Sequence, residues 1–131
     1  MLSAFFASLT AIFAKIGISN VNSDLATAIR TVVILLLAWA IVFARNEHKA
    51  VTVLSRHNLI FLVLSGLATG LSWIFYFKAL QAGKVSNVAP VDKLSVALTI
   101  ILAAIFLKEA LTIKMIIGAL FIIAGTLILI L

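Results

Sequence analysis

Apolar residues along this chain fall into five long blocks separated by short polar stretches, and each block has the length of a helix rather than a strand. The first runs from Leu2 to Ile18 and stops at the polar turn Ser19-Asn20-Val21-Asn22-Ser23-Asp24. The second covers residues 25–44. Ser23 and Asp24 suit its start, because their side-chain oxygens accept the free N–H groups of a first helical turn. The longest polar connection, 45–57, leads to a third block at 58–82 and then to the turn Gly83-Lys84-Val85-Ser86. The fourth block, 87–107, carries Pro90 in its first turns, where a missing N–H costs least. A tight link at 108–111 precedes the fifth block, 112–131. No linker or low-complexity tract divides the blocks, which read as one module over residues 1–131.

A helix of about 20 apolar residues matches a hydrocarbon core about 30 Å thick. Composition agrees, with 65% hydrophobic and only 11% charged residues. The chain therefore reads as an all-α, multi-pass integral membrane protein of five transmembrane helices, with no room left for a soluble domain. The first block is short for a span, so either it tilts little or a few residues are missing before it. It is no secretory signal, because no basic segment precedes Leu2 and four more apolar blocks follow. A net charge of +6 would suggest nucleic acid for a soluble chain. Here the basic residues sit in loops and near helix ends, so the expected partner is the lipid bilayer and not nucleic acid. The absence of cysteine excludes disulfides and thiol chemistry.

Charge also bears on orientation. The side holding the second and fourth connections has Arg45, Lys49, Arg56, Lys108 and Lys114, and the other has Lys15, Arg30, Lys78, Lys84 and Lys93. Five against five gives no positive-inside preference. Setting Arg30 and Lys93 aside as intramembrane leaves a mild bias toward a cytoplasmic N-terminus. One fixed but weakly specified orientation is one reading. The other is dual topology, in which copies insert both ways and pair antiparallel. Many transporters are built from two inverted repeats with a site at the repeat interface, and an odd number of spans per unit suits such pairing.

Small residues mark faces where helices can approach. Gly66 and Gly70 form a GxxxG in the third block, Ser95, Thr99 and Ala103 make a row in the fourth, and Gly118 and Gly125 share a face of the fifth. The third-block pair suits packing within the chain, and the fifth-block pair suits a contact between subunits. Ionisable residues inside the spans are the candidate solute-path residues, since a buried charge requires a partner, a wet cavity or a route to the interface. These are Arg30, with Asp92 or Lys93. Snorkelling to headgroups is the plainer account of Lys15 and Arg30, and placement near a helix N-terminus that of Asp92. Adjacent helical residues point about 100° apart, so Asp92 and Lys93 are not expected to pair. Trp73 and Tyr76, with Phe75 and Phe77, form either an interfacial belt or a wall that stacks on an apolar or cationic solute.

Catalytic constellations and nucleotide motifs are missing, and no enzyme activity or cofactor is expected. His48 and His57, with Glu47, make a solvated loop rather than a metal site.

Three ordered stretches carry a resemblance: Trp73-Ile74-Phe75-Tyr76-Phe77-Lys78-Ala79-Leu80-Gln81-Ala82-Gly83; Val88-Ala89-Pro90-Val91-Asp92-Lys93-Leu94-Ser95; and Leu107-Lys108-Glu109 with Gly118 to Gly125. They resemble the EamA-type domain of the drug/metabolite transporter superfamily, across all five helices. Most members look like ten-helix proteins made of two inverted halves, and this chain looks like one half. The resemblance implies transport of a small organic solute or metabolite without ATP, by alternating access, in the cell inner membrane. The working unit would be an antiparallel homodimer or a pair with a similar five-helix partner. Rival readings are a non-transporting membrane subunit that stabilises a partner, and a component of a flippase for lipid-linked substrates.

Overall fold

The computed structural model describes all residues, Met1–Leu131, and they are helical almost throughout. The elements are α1 (Leu2–Gly17), α2 (Ser23–Ala44), a 3-10 segment (Glu47–Val53), α3 (Arg56–Ala82), α4 (Val85–Asp92), α5 (Leu94–Phe106) and α6 (Ile113–Ile130). Four stretches are long and apolar enough to cross a bilayer: Ser23–Ala44, Arg56–Ala82, Val85–Phe106 and Ile113–Ile130. Helix α1 is apolar but shorter, with 16 residues, a rise of about 24 Å. The molecule is an all-helical membrane protein of five helices.

Exposure bears this out residue by residue. Phe61, Leu62, Val63 and Leu64 are consecutive in α3 and all exposed. Four successive residues sweep almost the full circumference of a helix, so α3 is apolar all round and requires lipid or protein on every side. Leu35, Leu36 and Leu37 in α2 repeat the pattern.

Helix ends differ from expectation in instructive ways. Asn22, not Ser23 or Asp24, caps α2: its Oδ1 accepts from the Asp24 N–H at 2.8 Å. Three cap-competent residues stand in a row, and the first of them is the one outside the helix. Asp24 then lies in the first turn, where the helix dipole favours an anion. Helix α3 begins at Arg56, two residues before the apolar block, because Ser55 Oγ accepts from the Asn58 N–H at 3.1 Å. Thr112 caps α6 by accepting from the Met115 N–H at 3.3 Å. Two non-glycine residues follow helix ends in the left-handed conformation: Asn46 after α2, at φ 56°, and Lys108 after α5, at φ 54°. At the second, the Glu109 N–H reaches back to the Ala103 carbonyl at 3.4 Å, and glycine is the usual residue at a left-handed position after a helix.

The fourth span is not continuous. It starts at Val85, earlier than expected, which puts Pro90 in the second turn of α4, and the helix breaks at Lys93. Pro90 has no N–H for the Ser86 carbonyl one turn back. At the break, the Lys93 N–H turns to the Pro90 carbonyl at 3.0 Å and the Val96 N–H to the Lys93 carbonyl at 3.0 Å. These are the tighter bonds of a 3-10 turn.

The chain forms two compact units, one of Met1–Ile12 with Ala82–Leu131 and one of Phe13–Gln81. In the first, α6 packs on both α4 and α5. In the second, the 3-10 segment folds back on α2, and Phe77 and Leu80 of α3 are fully buried.

Candidate functional site

In the Phe13–Gln81 unit, the end of α3 is tied to the end of α1 and the start of α2. Lys15 Nζ donates to the Leu80 carbonyl. Gln81 Nε2 donates to the Val21 carbonyl at 2.6 Å and, more weakly, to that of Ile18 at 3.3 Å. The glutamine thus donates to carbonyls of the turn that joins α1 to α2. Lys15, Ile18, Ser19 and Gln81 line a small pocket of 310 Å³ here. Lys78 Nζ lies 3.7 Å from Asp24 Oδ1, an exposed pair between α3 and α2.

Counting inward from that pair leads to Arg30. It is six residues further along α2, a rise of about 9 Å, and Trp73 is five residues back along α3, a rise of about 7.5 Å. The two helices run antiparallel in register, so the side chains meet. The Arg30 guanidinium carbon lies 5.0 Å from the Trp73 ring centroid and 4.6 Å from that of Phe77. Trp73 and Phe77 are four apart on α3 and share a face. Tyr76 stands edge-on to Phe77, with ring centroids 6.1 Å apart. The face of α2 carrying Arg30 also carries Ser23 and Thr27, both buried, and the Thr27 hydroxyl donates to the Ser23 carbonyl at 2.8 Å.

Arg30 is half-buried against two rings, the nearer of them on Phe77, which adjoins Lys78. Of the candidate path residues, the structure brings Arg30, Trp73 and Tyr76 into one unit.

Asp92 and Lys93 belong to the other unit and pair with each other, Nζ to Oδ2 at 3.2 Å. The expectation that they would not pair neglected the reach of the lysine, whose long, exposed side chain spans the angle of about 100° between neighbours. Beside the break, the buried Thr126 of α6 donates its hydroxyl to the Pro90 carbonyl at 3.3 Å. Pro90, Lys93, Phe121, Gly125 and Thr126 flank an open, mostly apolar groove of 430 Å³. A Cβ added at Gly66, Gly70, Gly118 or Gly125 would find no neighbour within 4 Å, so all four present open faces within the chain.

Sequence reasoning did not single out Gln81, Thr126 or the Ser23–Thr27–Arg30 stripe. The stripe had a signal, since polar residues spaced four and three apart in an apolar helix mark one face. Thr126 had none, because its partner is 36 residues away.

Comparison with known proteins places this architecture. A relative from Sinorhizobium sp., described as an uncharacterized transporter in the cobO 3′ region, is 49% identical over 129 residues, covering 98% of this chain and 92% of its own length. An uncharacterized protein of Methanocaldococcus jannaschii is 28% identical over 129 residues, covering 98% of this chain and 91% of its own length. No solved structure matches. The EamA-like transporter family matches across residues 1–131. Five helices with apolar surfaces, a match over the full chain and a transporter-named relative agree: this chain is a multi-pass membrane protein of the EamA-like transporter family.

Proposed function

We propose that the protein is a secondary transporter of a small organic solute in the inner membrane, working as a dimer by alternating access. The observation that carries this is the exposure of apolar side chains around whole helices, such as Phe61 to Leu64, together with open glycine faces at Gly118 and Gly125. Five helices with so little buried side-chain surface do not enclose a solute path, and a second unit provides the missing wall. The two curated relatives support the same reading. The chain spans 92% and 91% of their lengths, so they too have the size of one unit. A balanced count of basic residues on the two sides suits insertion in both orientations and antiparallel pairing.

The test is reconstitution of the purified chain alone into vesicles that are then incubated with a metabolite extract. Accumulation of an organic solute above that in empty vesicles is the expected result. No accumulation, with a second membrane protein co-purifying in fixed ratio, would overturn the reading in favour of an auxiliary subunit.

A further inference from the structure

We propose that the solute carries an oxyanion, a carboxylate or phosphate group, and that Arg30 is the residue that binds it. This rests on the transporter reading and names the substrate class of the site.

Arg30 lacks a carboxylate. Its unit contains two acidic residues, Asp24 and Glu47. Lys78 holds Asp24, and Glu47 lies beyond the far end of α2. The Arg30 backbone lies about 9 Å further along α2 than Asp24, by the rise of six helical residues, and its guanidinium meets the rings of Phe77 and Trp73, one and five residues back from Lys78. A charge at such depth is expensive, and contact with two rings compensates only part of that cost. The remainder calls for water or an anion.

The ring contacts leave the group able to bind one. Trp73 and Phe77 attract the cation through their π-faces, whereas the five N–H bonds of a guanidinium lie in its own plane. A flat guanidinium clamped against aromatic rings is held in orientation and still offers a two-pronged edge to an oxyanion. Such paired, charge-assisted hydrogen bonds are the strong and directional kind.

The surroundings select the same sign of charge. Lys15, Arg30 and Lys78 gather at this end of the unit against one carboxylate, that of Asp24. Excess positive charge on one side concentrates anions there. The aromatic wall, expected to suit an apolar or cationic solute, already carries a cation of the protein's own. A second cation at those rings would meet Arg30 directly.

Trp73 provides the readout. The chain has two tryptophans, so Trp39→Phe leaves Trp73 as the sole emitter. The purified protein in lipid nanodiscs would be titrated with benzoate, phenyl phosphate and benzylammonium. The expected result is a saturable change in Trp73 emission with an oxyanion, none with benzylammonium, and a preference between the first two that identifies the headgroup. Arg30→Gln should weaken that binding about tenfold to a hundredfold. Arg30→Lys should fall between, since it keeps the charge and loses the fork. The proposal is overturned by an absence of saturation with both oxyanions, by an equal response to benzylammonium, or by unchanged affinity in Arg30→Gln. Should Arg30→Gln fail to fold, unchanged affinity in Arg30→Lys overturns it instead. An oxyanion that binds at Arg30 but does not cross reconstituted vesicles would sink the transporter reading and leave the site standing. Flux of a neutral or cationic solute without oxyanion binding would do the reverse.

Discussion

Lys108 adopts the left-handed conformation that ends α5, at φ 54°. A side chain there crowds the following carbonyl, at a cost of about 1–2 kcal/mol, while glycine adopts the same angles without strain. Lys108→Gly is therefore expected to stabilise the folded protein by about 1 kcal/mol, read as a higher midpoint of thermal unfolding in detergent. An unchanged or lower midpoint would mean that the lysine makes a compensating contact. At this scale the sequence was only partly legible. Sequence points to Ser23 and Asp24 as the caps of α2 and not to Asn22, which caps it, because nothing local distinguishes the three. The pairing of Arg30 with Trp73 and Phe77 joins residues more than forty positions apart. It depends on how far α3 is slid along α2. A helix that is apolar all round has no stripe from which that offset can be read.

At the scale of elements, the apolar blocks were readable because a bilayer dictates both length and composition. The broken fourth span was not. Pro90 advertises a disturbance, but the helix gives way three residues later, at Lys93, where the ladder weakened by the missing N–H turns to 3-10 bonds. Thr126 then holds α6 against the carbonyl of Pro90. Pro90→Ala restores the donor for the Ser86 carbonyl and removes the ring. It is expected to stabilise the span by roughly 1–3 kcal/mol and to slow solute exchange in vesicles, because the two half-helices would move less freely. Faster exchange, or lower stability, would show that the break is imposed by packing with α6 rather than by the proline.

For the whole molecule, the question is what covers the apolar surfaces. Gly118 and Gly125 leave room on α6 for another backbone to approach, and nothing within the chain occupies it. A side chain at either position starts in open space within the chain, and leucine fills the room a second helix would use. Gly118→Leu and Gly125→Leu are expected to leave helical content unchanged while shifting the protein from dimer to monomer, as measured by sedimentation in detergent. A dimer that persists in both variants would move the interface elsewhere, with Gly66 and Gly70 of α3 as the next face to fill. Sequence marked these glycines as small-residue patterns, and the structure adds that they lie open.

The strained turn at Lys108 has a consequence of another kind. Glycine would relieve the backbone, yet it would also delete one of the ten basic residues whose even split gives no positive-inside preference. Insertion reads those charges as the chain emerges, before any helix has packed. A substitution that improves the finished fold can thus tip the proportion of copies facing each way. If the working unit needs one of each, the cell would hold a sturdier subunit and fewer complete pairs.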